Sequence, residues 1–294
     1  MTQTYFLGAN STEGFASLYR FFPGAEDAFL HIVKGGPGTG KSSFMRRIGA
    51  AAEARGLDVH YVLCSGDPAS LDGVFIPALH LAWVDGTAPH VSEPICFGVD
   101  SDYVNLGMFC RTPFDSETSE KLKELLRRHK RLYAEAYREL KHVQRLENIA
   151  LDAPELLRLP VGRACPCLPE QRFLHAFSCE GELFLWSEIK KLCKHIGSVS
   201  SASLQALSRE LEQHDLPAVR CPSPLDPGEL EALLIPWADR ALVAGLAFRG
   251  LEPALDKLRE AKSLHDEMED LVRPYMDFAA LTDYTEATLR ELFG

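Results

Sequence analysis

Residues 35–42 read G-G-P-G-T-G-K-S, between an apolar, partly β-branched run at 28–33 and a helix-patterned run at 43–55 that stops at Gly56. Strand, glycine-rich turn, helix is a narrow specification, because the turn must bend sharply and keep its backbone bare of side chains. Gly35 and Gly40 let the chain wrap an anion. Gly36, Pro37, Gly38, Thr39, Lys41, Ser42 and Ser43 complete a loop whose N–H groups and helix N-terminus attract phosphate. Lys41 has the reach for β- and γ-phosphates, and the Ser42 hydroxyl is of the kind that ligates Mg²⁺. The expectation is a nucleoside-triphosphate site.

The chain also resembles itself. A shift of 159 residues lays 38–86 on 197–245 without a gap, and twelve of the forty-nine positions are then identical, against about three by chance. Asp67, Pro68, Leu71, Ile76 and Pro77 recur as Asp226, Pro227, Leu230, Ile235 and Pro236. At a slightly different shift, Ala9, Ser11, Glu13 and Gly14 recur as Ala176, Ser178, Glu180 and Gly181. In the gapless comparison Gly35 becomes Lys194, Gly40 becomes Val199, Lys41 becomes Ser200 and Asp85 becomes Ala244. Asp85 closes the apolar run 79–84, and a carboxylate at the C-terminal end of such a strand is placed to hold Mg²⁺ with Ser42. Its loss together with Lys41 favours that role over a plain turn. Asp67 survives where the phosphate loop does not, so it reads as a turn former before Pro68, and Ser11, Glu13 and Gly14 fall under the same structural reading. The second half reads as an inert or regulatory copy.

Apolar runs at 28–33, 59–64 and 79–84 alternating with a helix predict an α/β fold. The expected form is a P-loop NTPase-type parallel sheet flanked by helices, duplicated, with long helical arms. Leu122, Leu125, Leu126, Leu132, Tyr133, Ala136, Leu140, Val143 and Leu146 keep helical spacing, as do Leu255, Leu258, Ala261, Leu264, Met268 and Leu271. These stripes are packing seams. Proline-rich 154–169 marks the boundary between a first domain, 1–160, with an arm over 115–153, and a second, 161–294, with a C-terminal arm.

A net charge of −11 argues against general nucleic-acid binding, which needs a basic face. The basic cluster at 121–131 is interleaved with Glu124 and reads as a solvated helix face. No segment resembles a signal peptide or reaches membrane-spanning length, so a cytoplasmic chain without membrane insertion is expected. Its eight cysteines should then be reduced. Cys165, Cys167, Cys179 and Cys193 share a stretch with His175 and His195 but lack paired C-x₂-C spacing, so they read as small buried residues rather than zinc ligands.

The segments G-A-N-S-T-E-G-F at 8–15, the loop at 34–42, S-L-D-G at 70–73, Ile76-Pro77, D-G-T-A-P-H at 85–90 and N-L-G at 105–107 carry a family likeness. Together they resemble a little-studied bacterial family of tandem P-loop ATPases, some labelled nucleotide kinases, over essentially the whole chain. The resemblance implies ATP binding and a P-loop NTPase fold, and no established substrate. Family members tend to keep a P-loop in the second half, which this chain lacks, so no two-site mechanism is implied.

ATP and Mg²⁺ are therefore the expected cofactors, since no GTP-selecting N/T-K-x-D segment is apparent. Asp85 is followed by Gly86 and Thr87, so the glutamate that often polarises water after such an aspartate is missing from its usual place. His90, matched by Arg249, is a candidate γ-phosphate sensor or water-orienting group, against the alternative of a hydrogen-bonded loop histidine. Lys34 reads as a strand-end residue, and Arg46 and Arg47 as helix surface charges. Three functions fit: an Mg²⁺-dependent ATPase or switch working at one P-loop site, a small-molecule or nucleotide kinase, and a non-enzymatic ATP-binding scaffold. Any acceptor, protein partner or second copy of the chain is left unspecified.

Overall fold

The computed structural model describes residues 1–22, 28–94, 96–147 and 170–294. The expected boundary at 160/161, the segment 154–169, and Cys165 and Cys167 lie outside the described residues.

The N-terminal half opens with β1 (Gln3–Phe6) and the hairpin of β2 (Gly8–Ser11) and β3 (Gly14–Ser17). It continues through β4 (Phe29–Lys34), α1 (Lys41–Glu53), β5 (His60–Leu63), β6 (Leu71–Ile76), β7 (Leu81–Asp85) and β8 (Ser101–Asn105). Six of these strands form one sheet in the order β1-β5-β6-β7-β4-β8. The fold is α/β, but the sheet is mixed rather than parallel, because β6 runs antiparallel to both β5 and β7. The connections dictate this. Residues 77–80 make one 3₁₀ turn that closes on His80 at φ +52, far short of the dozen or so residues a parallel crossover needs. Nothing in the pattern of 71–76 marks a strand, because it is buried at every position and shows no alternation. Parallel pairing survives where a longer segment intervenes, between β1 and β5, β4 and β7, and β4 and β8.

Alternation along the strands gives the sheet two buried faces. Val33, Val74, Ile76 and Trp83 pack with Phe44, Met45 and Ile48 of α1, each such side chain contributing about 1.5–3 kcal/mol on burial. Ile32, Phe75, Ala82 and Val84 face the other way, into a cluster shared with Phe173, Leu174, Val219, Leu234 and Val243 of the second half. One core thus draws on both halves.

Next come α2 (Ser116–Leu140) and β9 (Gln144–Glu147). The expected arm over 115–153 is shorter: the helix stops at Leu140, a turn returns Val143 N–H to Leu140 O, and β9 pairs antiparallel with a later strand. Val143 and Leu146 therefore lie beyond the helix, residues 148–153 fall outside the described residues, and Leu126 is exposed rather than in the seam.

The second half contains β10 (His175–Ser178), β11 (Gly181–Phe184), α3 (Trp186–Leu192), β12 (His195–Val199), α4 (Ser201–Gln213) and β13 (Val219–Pro222). It ends with β14 (Leu230–Ile235), β15 (Arg240–Ala244), β16 (Leu246–Arg249), α5 (Glu252–Val272) and α6 (Phe278–Phe293). Its four-stranded sheet, β12-β15-β14-β13, repeats the pairing senses of β4-β7-β6-β5. Details recur as well. Both outer pairs shift register, at Val62/Leu63 and Cys221/Pro222. Gly14 and Gly181 turn the two hairpins at φ +112 and +111, each accepting at its carbonyl from a serine, Ser11 or Ser178. Phe6 and Phe173 exchange both backbone N–H···O bonds, 2.9 and 2.8 Å, where the two halves meet. Antiparallel α2 and α5 close a second seam through Leu125, Leu132, Ala261, Leu264 and Met268.

Candidate functional site

Residues 35–40 run from the end of β4 into α1, and two of their glycines are conformationally required: Gly38 sits at φ +74 and Gly40, the N-cap of α1, at φ +83. With glycine as cap, no N-cap side chain bonds the first turn of α1, and the positive end of the helix favours an anion. At Gly36, an added Cβ would meet nothing within 4 Å. A positively polarised turn that is open at Gly36 fits a phosphate group.

The pairing of β4 with β7 brings Asp85 to the loop, since Val33 and Asp85 are register partners. Lys41 Nζ lies 3.6 Å from Asp85 Oδ2 and donates to the Gly35 and Gly36 carbonyls at 2.8 and 3.1 Å. Asp85 Oδ1 accepts from Thr87 N–H at 2.8 Å and Thr87 Oγ1 at 2.6 Å, so Thr87 orients the carboxylate and leaves Oδ2 toward the lysine. Ser42 Oγ accepts from Leu71 N–H at 2.9 Å. The two metal candidates, Ser42 and Asp85, are thus held by different partners. No group of three or more His, Cys, Asp or Glu side chains gathers to hold a metal among the described residues. Mg²⁺ on a nucleotide needs only one or two protein oxygens besides phosphate and water, so this donor set fits that ion.

His90 is placed differently. Its ring is buried between Phe15 and Tyr19, with centroids 5.3 and 4.9 Å away, and Nε2 lies 3.5 Å from Asp72 Oδ2. Tyr19 Oη donates to the same carboxylate at 2.9 Å. Burial pushes the Asp72 carboxyl up, with His90 pulling the other way. His90 is tied to the site by its backbone, through the Thr87 carbonyl that accepts from His90 N–H at 3.0 Å, and by Asp72, whose carboxyl also feels the charge of Asp85. None of the ring contacts described is with Lys41 or Asp85.

Lys34, the last residue of β4, donates to Gly86 O, Ser92 O and Glu93 Oε1 at 2.9–3.0 Å, tying down the 86–93 loop. Arg46 donates to Ala69 O, and Arg47 pairs with Glu286 of α6. Asp67 accepts from Ala69 N–H and Ser70 Oγ, as Asp226 accepts from Gly228 N–H, which is turn chemistry in both halves.

Two residues at the loop carried no sequence signal. Glu269 Oε1 of α5 accepts from Gly38 N–H at 3.2 Å, and Leu281 of α6 lies 2.9 Å from where a Gly40 Cβ would stand. They are charged and apolar positions on ordinary amphipathic helices, more than two hundred residues away in sequence.

The strand register also corrects the comparison of the halves. Val33 pairs with Asp85 and Val199 with Ala244, so Val33 corresponds to Val199, not to a position seven residues earlier. Gly35 and Gly40 have no counterparts at Lys194 and Val199; the whole stretch 34–40 is missing between Val199 and Ser200. There α4 caps itself, with Ser200 Oγ accepting from Ser203 N–H at 3.1 Å, and Arg145 bonds to Ser201 and Glu229. No protein-family model, curated protein or solved structure matches the chain.

Proposed function

We propose that the chain binds Mg²⁺–ATP at residues 35–43 and hydrolyses it at this single site, on a P-loop NTPase-type unit whose second copy has lost the loop. The observation that carries the reading is the 3.6 Å approach of Lys41 Nζ to Asp85 Oδ2 beside an uncapped helix N-terminus. In this reading the amides from Gly38 onward hold phosphate oxygens and Lys41 supplies the positive charge that phosphoryl transfer draws on. Ser42 and Asp85 would hold the metal, and Thr87 keeps the Asp85 carboxylate aimed. Mg²⁺–ATP, when bound, supplies the phosphoanhydride to be split and the metal charge that steadies it. The matching pairing senses, register shifts and hairpin turns support an origin by duplication.

Hydrolysis is favoured over transfer because the groups that face the loop are the chain's own Glu269 and Leu281. That cover suits a nucleotide-driven movement of α5 and α6 better than an open acceptor pocket. The deciding experiment is phosphate release by wild type, Lys41→Ala and Asp85→Ala, with and without a panel of nucleosides, nucleotides and small metabolites. Release by wild type alone, without acceptor, is the expected result. ADP formed only with an acceptor assigns a kinase, and ATP binding with neither product assigns a scaffold.

A further inference from the structure

Where the two halves meet, away from the phosphate loop, four polar side chains, one of them charged, are shut from solvent. Gln3, Tyr5, His60 and Arg172 are 6 %, 0 %, 3 % and 1 % exposed. The Arg172 guanidinium lies over the Tyr5 ring, 5.2 Å from its centroid, and Nη1 donates to Gln3 Oε1 at 2.7 Å. Arginine can only donate, so this bond fixes the Gln3 amide and turns its NH₂ toward His60 Nε2, 3.4 Å away. Nε2 must then accept, which puts the imidazole proton on Nδ1. Burial, with Arg172 adding to it, holds His60 down to about 4, so the ring is neutral.

The polar atoms left over are Arg172 Nε and Nη2, His60 Nδ1 and Tyr5 Oη; none has a partner in hydrogen-bond geometry, and the Cys221 thiol beside the guanidinium is at best a weak acceptor. The three nitrogens carry only protons, and the hydroxyl can turn its own outward. A water could satisfy some of them but would leave the guanidinium charge uncompensated, and an unpaired buried charge is far costlier than an unpaired amide. Nearby acids do not supply the countercharge. Glu231 is engaged by His175 at 2.9 Å, buried Glu188 by Lys191 at 2.6 Å and by Thr4 N–H at 3.0 Å, Asp58 is at the surface, and burial pushes the Cys221 thiol up to about 12, so it stays neutral.

The geometry points to a binding site for a small inorganic monoanion, of halide or nitrate size, held by Arg172 with help from Tyr5 and His60. A monovalent ion is the class that fits, because full enclosure strips hydration and a multiply charged ion loses most by that. The donors come from β1, β5 and the residues just before β10, so the ion ties the first half to the second at the Phe6–Phe173 junction.

The test uses the full chain. Thermal unfolding is followed in sodium chloride and, at matched ionic strength, in sodium gluconate, whose anion is too large to enter. Wild type should gain about 2–4 °C per tenfold rise in chloride once the site begins to fill. Arg172→Met should respond alike to both salts. Should Arg172→Met not fold, Tyr5→Phe keeps the ring under the guanidinium and should move the chloride midpoint about fivefold higher. A crystal grown in sodium bromide should give an anomalous peak within about 3.5 Å of Arg172 Nε or Nη2. Identical responses to both salts in wild type, or water in place of the anomalous peak, would overturn the proposal.

Discussion

The carboxylate of Glu269, on α5, accepts a hydrogen bond from the backbone N–H of Gly38 at 3.2 Å. That N–H belongs to the loop proposed to hold phosphate, so a protein anion stands where a ligand anion is expected. His265, 3.3 Å away, holds the Glu269 carboxyl below its ordinary range, and Gly38 adds to the effect, so the group is charged at neutral pH. Two anions cannot share one amide; nucleotide must displace Glu269. Both Glu269→Gln and Glu269→Ala should therefore tighten ATP binding by about five- to tenfold, the equivalent of about one charge-assisted hydrogen bond. Isothermal titration decides it. Weaker binding in both variants would mean that Glu269 assists the nucleotide instead.

His90 is expected to matter for stability more than for turnover. Its removal leaves the buried Asp72 carboxylate with Tyr19 as its remaining close donor of those described above. His90→Ala should cost about 2–4 kcal/mol of unfolding free energy, while turnover per folded molecule stays within about threefold. Adding Asp72→Asn should recover part of the loss, because a buried amide short of one partner costs less than a buried carboxylate short of one. A hundredfold fall in turnover at unchanged stability, as expected for Lys41→Ala, would instead make His90 catalytic.

Gly40 tests how closely α6 caps the loop. A side chain there meets two separate obstacles, the φ of +83 and the Leu281 methyl at 2.9 Å. Gly40→Ala should cost about 1–2 kcal/mol from backbone strain alone and should weaken nucleotide binding. Shortening Leu281 in the same chain relieves the methyl contact but not the strain, so Gly40→Ala/Leu281→Ala should stay impaired in nucleotide binding. Full recovery of binding would show that crowding, not conformation, reserves the position for glycine.

The glycine-rich turn between β4 and α1, and the place of Asp85 at the end of β7, were legible in the sequence because their signals are local: glycines, a lysine and a serine in one run, and a carboxylate ending an apolar strand. The antiparallel β6 was not legible, since a strand buried on both faces carries no alternation to read. Val143 and Leu146 kept helical spacing by coincidence of apolar placement; the turn after Leu140 takes Val143 out of the helix, and the pairing of β9 with β16 claims Leu146. The gapless comparison failed for a related reason. Identities such as Gly38 with Gly197 cannot reveal a missing loop, whereas the pairing of Val199 with Ala244 fixes where the strand ends. Glu269 was invisible because proximity to Gly38 is made by the packing of α5 on α2, not by any local motif.

His175 gives the fold a pH signature. Burial would push its pKa down, but Glu231, with oxygens 2.9 and 3.0 Å from Nδ1, and Glu182, 3.3 Å from Nε2, raise it to about 9. The Nε2 contact has ion-pair distance without hydrogen-bond geometry, so Glu231 is the stronger partner. The folded pKa lies above the unfolded value near 6.5. The stabilisation is therefore complete below about pH 6.5 and is lost as pH rises through 9. The shift caps the effect at roughly 3 kcal/mol. Urea unfolding of wild type at pH 6.5 and 9.5 should show a drop toward that size. His175→Gln combined with Glu231→Gln, which leaves no lone buried carboxylate, should be nearly level across the same window. An equal drop in the double variant would assign the alkaline loss to other groups.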